Sequence, residues 1–106
     1  MSNRALVYSL LARKDLERIR DYITNELQNP LAAVNTVKAI LDAADELEQF
    51  PHVGRPVERV PFVGDDYRCL PVRNYLVFYR VSDTSVFVDR ILYKRRDYMS
   101  LLGLND

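Results

Sequence analysis

The chain has 106 residues, 48% hydrophobic and 28% charged, with fifteen basic and fifteen acidic side chains balancing to a net charge of zero. That size predicts one domain over 1–106, with a core that buries about 65% of the unfolded surface and needs no metal or disulfide staple. The composition excludes a disordered chain, the neutral balance excludes a protein held to nucleic acid mainly by a basic surface, and the lone Cys69 excludes an internal disulfide.

Residues 4–8 read as a short strand. Ser9 is placed to cap a helix in which Ala12, Leu16, Ile19 and Ile23 share one face at spacings of four, three and four. Arg13, Asp15, Glu17, Arg18, Arg20 and Asp21 fall mainly on the other face, and Arg18 lies one turn before Tyr22. Asn29-Pro30 is a restart signal, a capping residue followed by proline at the first helical position. The second helix is expected to run to about Gln49, with Ala33, Val37, Ile40, Ala44 and Leu47 as its apolar stripe, widened by Val34 and Leu41. The pair forms a helical hairpin.

Two prolines and a glycine make residues 50–56 a loop, and Gly64-Asp65-Asp66 marks a second turn. Residues 67–72 read as a strand that Pro71 confines to an edge, an end or a bulge. Asn74 suits a turn, residues 75–81 read as a strand buried on both faces, and residues 82–85 as a tight hairpin link to a returning strand over 86–93. Residues 98–102 suggest a short terminal helix ended by Gly103. The expected class is α+β: an N-terminal helical hairpin packed on a small, mainly antiparallel sheet, the other sheet face meeting solvent or a partner. The absence of a ~20-residue apolar run and of an N-terminal apolar stretch makes the cytoplasm the expected location.

Charge is uneven along the chain. Residues 1–50 carry six basic and eight acidic side chains, residues 51–106 nine and seven, and twelve of the fifteen bases are arginine. Arginine favours bidentate pairing with carboxylate or phosphate, which suits an anionic target or an acidic protein partner. Arg68, Arg73, Arg95 and Arg96 are candidates for such a surface, with ion pairs to Asp65, Asp66 and Asp97 as the plainer reading. Asp89 and Arg90 suggest an internal pair, His52 a surface histidine, and Cys69 a small buried hydrophobe. The many tyrosines of the C-terminal half suit core packing better than base stacking.

Several pieces, taken in order, resemble the RelE/ParE superfamily of toxins from type II toxin–antitoxin modules. They are Ala12 with Asp15-Leu16 and Ile19, Phe50-Pro51 with Gly54, Tyr67-Arg68-Cys69, Val77-Phe78-Tyr79-Arg80-Val81, Arg90-Ile91-Leu92, and the closing Arg95-Arg96-Asp97-Tyr98. The resemblance implies a toxin without cofactor or metal, neutralised by a cognate antitoxin. RelE-like members cut mRNA in the ribosome, whereas ParE-like members poison DNA gyrase. Carried over residue by residue, Arg68 and Arg95 match bases of the RelE-like pattern, but Leu70 and Leu76 stand where further bases are expected. The terminal aromatic falls at Leu101, with Tyr98 the nearest phenol. The Tyr-Arg-Cys and Val-Phe-Tyr-Arg-Val pieces look more like ParE.

The leading expectation is therefore a gyrase-directed toxin. Its target would be met by Arg55, Arg68, Arg73, Arg95, Arg96 and Tyr98. One alternative is a ribosome-dependent mRNA interferase, with Arg68 and Arg95 on phosphate and Tyr98 as acid or base. Another is a non-toxic family member acting only with its antitoxin.

Overall fold

The computed structural model describes residues 4–57 and 66–95. The expected terminal helix, Arg96, Tyr98 and the first two residues of the expected turn at 64–66 lie outside the described residues, while Asp66 belongs to a strand and not to the turn. Strand β1 (Ala5–Tyr8) leads into helix α1 (Leu10–Asp21), a single π-helical turn (Tyr22–Glu26) and helix α2 (Pro30–Glu46). Strands β2 (Arg55–Pro56), β3 (Asp66–Val72), β4 (Tyr75–Val81) and β5 (Ser85–Tyr93) follow. They form one five-stranded sheet in the order β1-β5-β4-β3-β2. The expected β3-β4-β5 meander is antiparallel throughout, while β1 lies parallel to β5, so the sheet is mixed.

Local chemistry sets the boundaries. Ser9 is extended and its hydroxyl accepts the Ala12 N–H at 2.9 Å, starting α1. Asn29 accepts the Ala32 N–H at 3.0 Å, and Pro30 fills the first helical position of α2. Between the helices the chain widens into the π turn, and Gln28 takes a left-handed φ of 51°. The β3–β4 link is Arg73-Asn74, with Arg73 at φ 55°. The β4–β5 link closes through the Ser82 N–H on the Ser85 carbonyl at 2.9 Å. Pro71 sits beyond the reach of β2, which pairs only with Arg68 and Cys69, so no strand among the described residues calls on its missing N–H.

The core lies between the hairpin and one sheet face. Ala12, Ile19 and Ile23 from the first helical segment and Ala33, Ile40 and Ala44 from α2 pack on Val77, Tyr79, Val86, Val88 and Ile91. Three expectations change here. Val34 does not widen the stripe of α2 but stays 61% exposed. Asp15, expected on the solvent face, is buried at 1% exposure. The opposite sheet face was expected to meet solvent or a partner, yet Tyr67, Cys69, Leu76, Phe78 and Leu92 form a second buried cluster there.

A β-bulge shapes β5. Phe78 faces Arg90 while Tyr79 faces Val88, which leaves Asp89 as the extra residue. The expected Asp89–Arg90 pair does not form. Asp89 accepts the Tyr67 hydroxyl at 2.8 Å, and Arg90 reaches Asp15 on α1 instead. β1 ends level with Val88, so beyond it β5 is an edge, and Asp15 takes the place of a neighbouring strand by accepting the Ile91 N–H at 2.9 Å.

Candidate functional site

The cationic candidates divide between two places. At the β2 edge, Arg68 is only 17% exposed. Its Nε donates to both Asp66 carboxylate oxygens at 3.0 and 3.1 Å, and its Nη1 donates to the carbonyls of His52 and Gly54 at 3.0 and 2.7 Å. Arg68 therefore fastens the loop before β2 onto β3. Asp66, one of the ion-pair partners expected from sequence, is the partner it uses. His52 is a surface histidine, 57% exposed, with Nε2 3.4 Å from Asp66. Tyr79 ties down the same loop from beneath: its hydroxyl donates to the Pro51 carbonyl at 2.7 Å and accepts the Gly54 N–H at 2.9 Å.

Arg55 is exposed on β2 beside the buried Cys69, the small hydrophobe expected. Burial pushes that thiol up from its ordinary pKa, against a downward pull from the Arg55 charge. Burial also raises the phenols of Tyr67 and Tyr79, and the hydrogen bond to Asp89 raises Tyr67 further. Both rings are packing groups held in the neutral form.

The second place is the far end of the sheet. The Lys94 N–H donates to the Asn74 carbonyl at 2.9 Å, bringing the end of β5 against the β3–β4 turn. Arg73 on that turn and Arg95 just after β5 are both exposed there. The cross-strand pair Tyr75 and Tyr93 meets edge-on, ring centres 5.6 Å apart. Facing this end are Arg18 of α1 and the π turn. Together they enclose a cleft of about 650 Å³ whose wall includes Arg18, Tyr22, Leu27, Arg73 and Tyr93. Its volume is in the range of ligand-binding clefts.

Asp15 lines the inner wall with its charge answered. It accepts from Arg90 Nε and Nη2, from Arg18 Nη1 and from the Ile91 N–H, each at 2.9 Å. Arg18 spends one nitrogen on Asp15 and stays 58% exposed. The cleft thus carries a surplus of positive charge over an apolar floor that includes Ile19, Ile23 and Ile91. Of the residues lining this cleft, sequence reading named Arg73 as a candidate and did not name Arg18, Tyr22 or Tyr93. The one-turn spacing of Arg18 and Tyr22 was the available signal. Among the described residues, no group of three His, Cys, Asp or Glu side chains is arranged to hold a metal ion, and no helix is long and apolar enough to cross a membrane.

Comparison with known proteins gives this geometry a family. A search of the curated proteins finds no match. Among solved structures, the chain is similar to one from the chromosomal ParDE toxin–antitoxin system of P. aeruginosa, at 26% identity and a TM-score of 0.71, covering 85% of this chain and 95% of that one. It shares its fold with a chain of the RelBE2 toxin–antitoxin complex of Mycobacterium tuberculosis, at 22% identity and a TM-score of 0.62, covering 87% and 99%. It also shares its fold with YoeB of Staphylococcus aureus, solved as a dimer, at 14% identity and a TM-score of 0.54, covering 87% and 98%. The family model described as the ParE toxin of the type II toxin–antitoxin system parDE matches residues 6–98, and the chain belongs to this family of toxins.

Proposed function

We propose that this toxin acts by binding DNA gyrase, that a cognate antitoxin neutralises it, and that both events take place in the cytoplasm. The observation that carries the reading is the state of Arg68. A base that stabilises a phosphate during RNA cleavage must present its donors to that phosphate. Arg68 instead spends them on Asp66 and two loop carbonyls. Leu76, where the RelE-like pattern expects another base, is buried at 7% exposure. Exposed Arg55, Arg73 and Arg95 are then contact residues for a protein target, and Arg96 and Tyr98, outside the described residues, are proposed with them. An antitoxin partner is supported by the family and by similar folds solved within toxin–antitoxin complexes.

The second reading, a ribosome-dependent mRNA interferase, is favoured by one feature: Arg73 and Arg95 gather at one end of the sheet, exposed to an anionic target. Pulse-labelling after induction of the toxin alone separates the two. Thymidine incorporation should fall before methionine incorporation, and purified toxin should inhibit supercoiling by gyrase. An earlier fall in methionine incorporation, with cut message, overturns the gyrase reading. Unimpaired growth without an antitoxin would identify a non-toxic member.

A further inference from the structure

We propose that the outer edge of β1 is a self-association surface, on which a second copy of this chain pairs β1 to β1, antiparallel, about a two-fold axis through Val7. The two sheets then run on as one. The proposal stands apart from the choice of target and from the antitoxin.

The edges of the sheet are protected unequally. An unpaired edge is a template for another chain, and folds blunt it with short strands, proline, charge or a cover. β2, at one end of the sheet, is two residues long, an arginine and a proline. β5 beyond Val88 is covered by Asp15, which takes the Ile91 N–H. β1, at the other end, is Ala-Leu-Val-Tyr in continuous register, without charge, proline or bulge. The Ala5 N–H donates to the Thr84 carbonyl and the Ser9 N–H to the Val88 carbonyl, both at 2.9 Å. Every second residue of a parallel strand bonds to its neighbour, so Leu6 and Tyr8 turn their N–H and C=O groups outward.

The edge is complementary to itself. Antiparallel pairing sets Leu6 of each copy opposite Tyr8 of the other, and the two pairs exchange four backbone hydrogen bonds. Between them Val7, 41% exposed, meets its symmetry mate on the face away from the helices. Charge agrees with this register. Arg4, just before β1, places its Nε on the Ser82 carbonyl and makes no ion pair among the described residues. At the other end of the strand, Asp45 and Glu48 stand close enough to Tyr8 to help push up its phenol, and neither makes an ion pair among the described residues. Antiparallel pairing brings Arg4 of each copy to the Tyr8 end of the other. Leu10 and Leu11, exposed at 67% and 52% directly after β1, gain cover at the same place. The seam has four residues from each copy, short of the ~1,200 Å² that stable complexes bury, so the dimer is reversible, with a micromolar Kd.

Sedimentation equilibrium of the whole chain is the test. The average mass should rise with concentration from that of one chain toward that of two. Val7→Lys sets two like charges against each other at the axis and should weaken association about tenfold. Arg4→Glu, counted twice by the symmetry, should weaken it to a similar extent, and adding Asp45→Lys and Glu48→Lys to it should restore association. Thermal melting checks that each variant folds. Hydrogen exchange gives the local reading. The Leu6 and Tyr8 amides should gain protection as concentration rises, while the Val7 amide, turned toward β5, stays protected throughout. The mass of a single chain at every concentration up to about 1 mM overturns the proposal. Association that Val7→Lys leaves unchanged overturns it as well. Protection of Leu6 and Tyr8 only when another protein is added also overturns it and assigns the edge to a strand of that protein.

Discussion

Asp15 and Arg90 grip each other across 75 residues of sequence, with two 2.9 Å hydrogen bonds between a carboxylate that is 1% exposed and a guanidinium that is 14% exposed. The pair joins α1 to the edge of β5 where β1 has ended, and the same carboxylate takes the Ile91 N–H. Removing the carboxylate leaves a half-buried cation and a buried backbone donor without this partner. Asp15→Ala should therefore cost about 3–5 kcal/mol, read as a lower midpoint in urea unfolding. Arg18→Ala, which removes the exposed partner of the same group, should cost no more than about 1 kcal/mol. Equal losses for the two variants would show that the Arg90 connection does not carry the interaction.

Gly54 marks the closest approach of the loop to the sheet. A Cβ there would lie 2.5 Å from the Tyr79 hydroxyl and 2.9 Å from the Cys69 carbonyl. Because Tyr79 is fully buried and its hydroxyl is held by Pro51 and Gly54, neither group can step aside cheaply. Gly54→Ala should destabilise by about 1–3 kcal/mol through overpacking. Tyr79→Phe should cost about 1–3 kcal/mol by orphaning the Pro51 carbonyl and the Gly54 N–H. Differential scanning calorimetry should show both variants melting below the parent. A parental melting temperature in Gly54→Ala would mean that the loop has room to move.

The buried phenols give the fold an alkaline limit. Burial, with Asp45 and Glu48 nearby, pushes Tyr8 up to about 12 from an ordinary value of 10.0, and burial likewise raises Tyr67, Tyr75 and Tyr79. A phenol with a raised folded pKa contributes stability that is complete below the unfolded value. Above that value the unfolded chain has released protons that the folded chain still holds, so stability falls as pH rises toward the folded pKa. Stability should therefore decline from about pH 10 upward. Near-ultraviolet titration should show these four phenolates appearing late, together with loss of tertiary structure. Ionisation of all seven tyrosines at the ordinary value with the fold intact would contradict the burial effect.

The arginines should divide by role. Arg68→Ala should lower stability by about 1.5–3 kcal/mol per lost charged hydrogen bond at most, and Arg68→Lys should recover little because lysine has no fork. Arg73→Gln and Arg95→Gln should leave the melting temperature unchanged and reduce growth inhibition on induction. A melting temperature unmoved in Arg68→Ala, with toxicity abolished, would return Arg68 to the functional surface.

Features set by neighbouring residues were legible in the sequence. Ser9, Asn29-Pro30 and the Ser82–Ser85 link each act within a few residues of chain, and the β3-β4-β5 meander follows from apolar runs joined by short turns. Features made by distant partners were not. Asp15 reads as surface because carboxylates usually are, although it stands on the stripe that runs through Ala12 and Ile19. Its partner Arg90 is turned by a bulge that no local pattern announces. The two-residue β2 hides in a loop rich in proline and glycine. The cleft draws its wall from both helices, the π turn, the β3–β4 link and two strands, so spacing along any one of them does not outline it.

The parallel pairing of β1 with β5 also governs when the molecule becomes complete. Ala5 pairs with Ser85, and among the described residues β1 has no other neighbour in the sheet. On a ribosome adding about 5–20 residues per second, the first strand waits roughly 4–16 seconds for its partner to be made. Asp15 waits for Arg90 over a similar interval, and one wall of the cleft arrives with them. A chain released before β5 has neither an anchored first strand nor a closed cleft at that end. Translation of this toxin must pass β5 before that end of the sheet can form.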